Sequence, residues 1–266
     1  MGTAAPQEKT ALLLSAGGMF GAYQAGVWKE LSARVRLDLV AGTSVGGLNG
    51  WAIAGGCSPE QLIEQWNSEA TGAFLKFRFS LNPWRGFFDN ASFSNRVKAL
   101  YSAFTPKIPC GVVLTDLLSR SPRLVRSPEI TWQHLAAACT IPTGLPPVRI
   151  DGRWYVDGGL LDVLPLWAAF EMGATRVVAV NALPVLPSPV LLASARLYRR
   201  FSRRKPRPGS LEVILIAPAG SLGTLTESVC WKRNTVQRWI EQGAEDARRV
   251  LGSAAPGRDF LSCVLQ

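Results

Sequence analysis

The chain has 266 residues, enough for one large α/β domain or two small ones, and 47% hydrophobic against 18% charged residues excludes a disordered chain. Twenty-nine Lys and Arg against 19 Asp and Glu leave a net charge of +10, which favours anionic partners such as a phospholipid surface or nucleic acid. Five scattered cysteines without a CxxC pair fit a reduced intracellular chain rather than a disulfide framework or zinc site, and a single histidine, His134, excludes any mechanism that needs two imidazoles.

The opening MGTAAPQEKTALLLSAGG carries Glu8 and Lys9 and too few apolar residues for a secretory signal. The longest uncharged run, Leu39 to Pro59, matches a membrane span in length but holds six glycines, so it reads poorly as a lipid-facing helix. A cytoplasmic chain, or one peripheral on a membrane, is expected.

Short apolar runs alternate with amphipathic stretches, as in βαβ architectures. ALLLSA (11–16) is a buried-type strand ending at Gly17-Gly18, and Tyr23, Val27 and Leu31 at spacings of four predict the helix after it. DLVAGT (38–43) predicts a second strand and VGGLNGWAIAG (45–55) a buried helix. Ser58-Pro59-Glu60-Gln61 is a capping-box start with Pro at the first helical position.

Residues 66–104 hold ten of the 24 aromatics, and Leu75, Phe77, Phe79 and Leu81 alternate with polar residues. This stretch reads as an insertion or lid beside the sheet, lining an acyl tunnel or packing as core. GVVLTDLL (111–118) and PRLVR (122–126) predict paired strands, and TWQHLAAACT (131–140) a short helix stopped by Pro142. In VRIDGRWYV (148–156), Asp151-Gly152 between alternating runs is a hairpin signal. RVVAVNAL (176–183) and LEVILIAP (211–218) predict further buried strands. One long helix from about Thr224 to Leu251 closes the chain.

Gly42-Thr43-Ser44-Val45-Gly46 is a G-x-S-x-G sequence between a predicted strand and a predicted helix, the context a nucleophile elbow needs. Glycines at 42 and 46 relieve a sharp turn so that Ser44 can project its hydroxyl, and the helix start favours negative charge beside it. The other reading is an ordinary glycine-rich turn. The segment Ser15 to Gly21 also joins a strand to a helix and offers bare amides to an anion. A dinucleotide loop is disfavoured there, because Ala16 replaces its first glycine and Asp38 begins the second strand instead of ending it. An oxyanion hole beside Ser44 explains more.

A serine needs a base. His134 lies in a helical pattern with Leu135 and Ala138, where a packing or surface role is the default. Asp157, in Asp157-Gly158-Gly159, follows the hairpin strand at a strand end, where ligands of α/β sheets gather; a tight turn is the alternative reading. As a weak base, Asp157 requires a direct, desolvated contact with Ser44, and the scarcity of histidine favours a dyad over a triad.

SAGGMFGAYQAG (15–26), GTSVG (42–46) and DGG (157–159), in this order and spacing, resemble the patatin-like phospholipase family, as does AAACTIPTGLPPVRIDGRWYVDGGLLDVLP (136–165). The resemblance runs over about 11–180. It implies a three-layer α/β/α fold with a mainly parallel sheet, in a single domain 1–266 with the aromatic stretch at 66–104, a basic connector at about 190–208 and a closing strand and helix at 211–251. It further implies Ser44 as nucleophile, Asp157 as base, the amides of Gly17, Gly18 and Met19 as oxyanion hole, and no metal or organic cofactor. The chemistry implied is hydrolysis of phospholipid or other fatty-acyl esters through an acyl-enzyme. Two departures stand out: Ala16 where the family usually has glycine, tolerable if its φ is negative, and Phe20 where it usually has arginine. The second weakens the expectation of a phosphate headgroup and eases a neutral ester or lysophospholipid. A catalytically silent lipid-binding member is the alternative function, favoured only by the altered glycine segment.

Between Arg196 and Arg207 lie seven cations in twelve residues, among them Arg199, Arg200, Arg203 and Arg204, preceded by Val190, Leu191 and Leu192. This segment reads as a contact with an anionic membrane surface, or as a solvated loop. No nucleic-acid reader motif accompanies it, so nucleic acid is not expected as a partner.

Overall fold

The computed structural model describes residues 8–69, 90–141, 144–185 and 211–253. The alternating stretch at 75–82, Pro142 and the basic connector with Arg199, Arg200, Arg203 and Arg204 lie outside the described residues. β1 (Thr10–Leu14) leads through a 3-10 turn (Gly18–Phe20) into α1 (Gly21–Leu31). β2 (Leu39–Thr43), α2 (Val45–Ala54), α3 (Pro59–Asn67) and α4 (Asn90–Ala103) follow. Then come β3 (Cys110–Asp116), β4 (Ser121–Arg126), α5 (Trp132–Ala138), β5 (Val148–Ile150) and β6 (Arg153–Asp157). A 3-10 turn (Gly158–Leu160), α6 (Leu166–Glu171), β7 (Arg176–Val180), β8 (Glu212–Ile216), α7 (Leu225–Val229) and α8 (Arg233–Ser253) complete the described chain.

The strands form one sheet in the order β5-β6-β3-β2-β1-β7-β8, with β4 on β3. Five of them, β8-β7-β1-β2-β3, run parallel. Their near-continuous apolar runs are what a sheet covered on both faces requires. Leu12, Leu14, Val40, Val112, Val178 and Val180 point into the larger core, shared with α1, α2 and α8. Leu13, Ala41, Val177 and Ala179 face the opposite way, toward Ala169 on α6 and Ala174 just after it. The fold is thus a mixed α/β one with helices flanking a central sheet. The chain leaves β1 for β2 on one side and returns only later to lay β7 on the other. That reversal is where α/β sheets gather ligands, at the carboxyl ends of the strands.

Local signals explain several boundaries. Ser58 accepts the Gln61 N–H at 3.2 Å while Gln61 Oε1 accepts the Ser58 N–H at 3.0 Å, which starts α3 with both bonds of a capping box. Asp151 and Gly152 take φ of 48° and 79°, the paired positive angles of a tight hairpin between β5 and β6. The described aromatics of 66–104 pack inward: Trp66 and Phe93 are buried, and Tyr101 stacks on Trp51 with centroids 5.0 Å apart.

The single long helix expected from Thr224 is instead two. Cys230 turns extended, with ψ of 119°, after a short α7 that begins in its own capping box at Thr224 and Glu227. The break lets Trp231 donate its indole N–H to the Trp66 carbonyl at 2.9 Å, while the Ser228 carbonyl lies against Gly18. α8 then crosses α1 at close range: a Cβ on Gly26 would stand 1.9 Å from the Ile240 carbonyl oxygen, and one on Gly243 2.1 Å from that of Tyr23. This contact needs glycine on both helices.

Candidate active site

Ser44 sits between β2 and α2 with φ 54° and ψ −134°, strained for a residue with a side chain. The residues two positions to either side, Gly42 and Gly46, are glycine because the turn is crowded. A Cβ on Gly42 would lie 2.3 Å from the Gly46 carbonyl oxygen, and one on Gly46 only 2.4 Å from that of Leu14. The first turn of α2 therefore presses onto the end of β1, which an alanine at 46 would prevent. Behind the elbow, Asn49 donates to the Gly21 carbonyl at 3.0 Å and to Gln24 Oε1 at 2.9 Å, and accepts from the Trp66 indole at 3.2 Å. Gln24 in turn donates to the Ser15 carbonyl at 2.8 Å. This buried polar chain ties α1 and α2 together beneath the serine.

β3 brings the aspartate to it. β4 pairs with β3 along residues 111–116, so β2 and β6 share the opposite edge. β2 ends with Thr43 opposite Val113, and antiparallel β6 ends with Asp157 opposite Leu114. Two strand ends thus meet head-on at adjacent rungs. Gly158 must lack a side chain there, since a Cβ would stand 2.4 Å from the Val113 carbonyl oxygen and 2.5 Å from Thr43 Oγ1. The Asp157 N–H donates to the Thr140 carbonyl at 3.0 Å, and its carbonyl accepts from Thr115 Oγ1 at 2.9 Å.

Ser44 and Asp157 are 4% and 3% exposed. Burial pushes the Asp157 carboxyl from its ordinary 3.8 up to about 6, while the hydrogen bonds it accepts from the Ser44 hydroxyl and the Gly159 N–H pull the other way. The Gly159 bond to Oδ1 measures 2.7 Å. A buried carboxylate held this way is a stronger base than a free one and stays ionised at neutral pH.

The glycine segment faces the same spot. Ser15 and Ala16 spend their amides on the Val180 and Val163 carbonyls, both at 3.0 Å. The next residues turn into the 3-10 segment, whose first N–H groups have no partner within their own turn. Gly18 takes φ 56° and approaches the Ser228 carbonyl so closely that a Cβ would be 2.3 Å from it, so this position requires glycine twice over. Ala16 is not among the described non-glycine residues with positive φ, and its methyl faces Gly159, where a Cβ would lie 2.7 Å away. The added methyl fits because the residue opposite has none. Phe20 is fully buried, edge-on to Trp239 at 5.0 Å. Position 20 therefore points into the core between α1 and α8.

His134 is occupied elsewhere. Its Nδ1 accepts the Thr131 N–H at 3.1 Å at the start of α5, and burial holds its imidazole below the ordinary range, against the pull of Asp151 and Glu129. The residue that sequence reasoning did not single out is Cys139, at the other end of α5. It is half-buried overall, yet burial pushes its thiol well above the ordinary range, the Asp157 charge adds to this, and a hydrogen bond with Ser44 opposes it. A neutral sulfhydryl thus flanks the serine. Cys139 precedes Thr140, whose carbonyl receives the Asp157 N–H, and only that pairing across the fold could have revealed it.

The profile of the family described as patatin-like phospholipase matches residues 12–170. Patatin-like phospholipase domain-containing protein 6 of Mus musculus is 29% identical over 183 residues, covering 64% of this chain and 13% of that protein. Lysophospholipase nte1 of Aspergillus terreus is 26% identical over 179 residues, covering 64% of this chain and 12% of that protein. The chain thus spans only a small part of the length of these relatives. VipD from Legionella pneumophila superposes with a TM-score of 0.57 at 14% identity, over 94% of this chain and 68% of that one, a likeness of fold.

Proposed function

Because the chain belongs to the patatin-like phospholipase family, we propose that it is a lipid acyl hydrolase, cleaving the carboxylic ester of a phospholipid, lysophospholipid or related acyl lipid. The observation that carries this reading is that Ser44 and Asp157, both buried, stand at strand ends that meet on adjacent rungs of one edge of β3. In the first half-reaction Asp157 accepts the Ser44 proton as Oγ attacks the ester carbonyl. The tetrahedral oxyanion is received by the amides of Gly17, Gly18 and Met19. Collapse expels the alcohol, which takes the proton back from Asp157, and leaves the acyl group on Ser44. Water, deprotonated by the same carboxylate, then attacks the acyl-enzyme; fatty acid leaves and Ser44 recovers its proton.

No imidazole is required in this reading, because the base lies beside the nucleophile and burial has already raised its basicity toward neutrality. Phe20, turned into the core against Trp239, supplies no cation near the amides, so this site offers no side-chain charge for selecting a phosphate group. The partner surface in this reading is an anionic membrane, met in part by the basic connector with Arg199, Arg200, Arg203 and Arg204.

The test is activity-based labelling with a fluorophosphonate, together with hydrolysis of a panel of phospholipids, lysolipids and acylglycerols. Wild-type chain should be labelled at Ser44 and should release fatty acid, whereas Ser44→Ala and Asp157→Asn should do neither while keeping their fold. Undiminished hydrolysis by Ser44→Ala, or a folded wild type that is neither labelled nor active, would overturn the proposal.

A further inference from the structure

Beyond the dyad, the carboxyl end of the sheet carries a raised rim. β6 runs antiparallel to β3, so residues that precede Asp157 on β6 stand progressively farther out on the side where β1, β2 and β3 end. Trp154, three residues before Asp157, is about 10 Å beyond it at the strand rise per residue. The Leu117 N–H donates to the Trp154 carbonyl at 2.9 Å and pins the turn after β3 to this hairpin.

That rim is apolar where water should reach it. Leu118 is 81% exposed and Trp154 47% exposed. Arg149, the cross-strand partner of Trp154, lies 5.9 Å from the ring centroid, so an indole and a guanidinium share one face. Arg120 follows Leu118 in the same turn and is exposed, and Arg153, on the opposite face of β6 from Trp154, keeps its side chain 55% exposed although it reaches the buried Asp116 at 2.8 Å. Three arginines thus stand against exposed Asp151 at the hairpin tip, exposed Glu129 beside Arg153 and the buried Asp116, on a chain whose net charge is +10.

We propose that this rim, Leu118 and Trp154 with Arg120, Arg149 and Arg153, is the surface by which the chain docks on an anionic lipid bilayer. Two protruding apolar side chains do not supply the roughly 800 Å² per partner that a stable protein interface needs. An indole and a leucine entering the headgroup boundary, with guanidiniums at phosphate level, is by contrast how peripheral proteins hold a membrane. Docking there sets the carboxyl end of the sheet, and Ser44 with it, toward the lipid. The proposal deepens the hydrolase reading and rests on it for its purpose; the docking itself is measured without any turnover.

The experiment is co-sedimentation of the full chain with vesicles of phosphatidylcholine alone and of phosphatidylcholine with phosphatidylglycerol. Wild-type and Ser44→Ala chains should bind the anionic vesicles equally. Leu118→Ser/Trp154→Ser should lower partitioning about tenfold or more. Arg120→Gln/Arg149→Gln should lower it about thirtyfold on anionic vesicles only, from the attraction expected for two cations at the surface. Hydrolysis of a water-soluble monomeric ester should be unchanged in both double variants, which also reports that they are folded. Binding unaltered in either folded double variant overturns the proposal. So does a wild type that ignores anionic vesicles, or that self-associates through Trp154 in sedimentation analysis. Inactivity of wild type toward the soluble ester, with vesicle binding lost as expected in the double variants, would instead fault the hydrolase reading and leave the docking surface standing.

Discussion

Asp157 should cost the protein stability for as long as it is ionised, and Asp157→Asn should release that cost. The carboxyl is 3% exposed, and burial moves it from an ordinary 3.8 to about 6 despite the bonds from Ser44 and Gly159. A carboxyl whose folded value lies above its unfolded one favours folding fully while both states are protonated. That contribution is lost as pH rises from about 4 through about 6. A gap of roughly two pH units, at about 1.4 kcal/mol each, amounts to about 3 kcal/mol. Asparagine cannot ionise, and its carbonyl oxygen can keep the Gly159 N–H, so the variant should be about 3 kcal/mol more stable than wild type at pH 8 and within about 1 kcal/mol of it at pH 4. Urea unfolding at the two pH values measures both. In parallel, ester hydrolysis by wild type should rise with pH through an apparent value near 6, and in Asp157→Asn should fall by about a hundredfold or more. A stability difference that does not change with pH, or a variant less stable at pH 8, would refute the claim that Asp157 is held in a desolvated site.

Gly46→Ala should fail to accumulate as folded protein, or lose several kcal/mol, because its Cβ would stand 2.4 Å from the Leu14 carbonyl oxygen and push α2 off β1; soluble yield and thermal midpoint report this. His134→Ala removes the bonds Nδ1 makes with the Thr131 N–H and hydroxyl, so it should cost about 1 kcal/mol in thermal or urea unfolding and leave ester hydrolysis intact. Iodoacetamide at pH 8, followed by peptide mass spectrometry, should modify exposed Cys230 before Cys57, Cys110 or Cys139, since burial pushes Cys57 to about 11, Cys110 to about 12 and Cys139 well above its ordinary range. Early labelling of Cys139 would show that its thiol is not the neutral neighbour of Ser44 described above.

Much of this site was legible because its rules are local. A serine between two glycines at a strand–helix junction, an Asp-Gly between alternating runs and a Ser-Pro-Glu-Gln start each concern a handful of adjacent residues, and each forms as read. What escaped depends on contacts across the fold. The residues from Thr224 onward keep a helical period through the break, so nothing in the period marks Cys230; the bond from Trp231 to the Trp66 carbonyl does. Phe20 could be noted as departing from a pattern, yet that its ring would face Trp239, 219 positions away in the chain, is decided by the glycine-mediated approach of α8 to α1. Cys139 belongs to a run of alanines that looks like any small-residue helix end until Thr140 pairs with Asp157.

The same dependence on distant pairing bears on the proposed dyad, in which an aspartate would serve where an imidazole is commonly used. In a histidine triad an imidazole bridges nucleophile and acid. A carboxylate acting alone has no such reach, so its distance from the serine must be set by the scaffold. Here the scaffold is one edge of one strand. β2 and β6 abut on β3 at consecutive rungs, and side-chain bonds lock both: Thr43 Oγ1 donates to the Val113 carbonyl at 3.2 Å, and Thr115 Oγ1 to that of Asp157 at 2.9 Å. A slip of one residue in β6 would turn Asp157 to the far face of the sheet, away from Ser44. The glycines at 42, 46 and 158 let three backbones crowd into that junction, and the hairpin ahead of Asp157 carries the same register outward to Trp154. Pairing that sets the distance between Ser44 and Asp157 therefore also sets how far the apolar rim stands above them, so a change in β6 register should disturb the proposed hydrolysis and the proposed surface binding together.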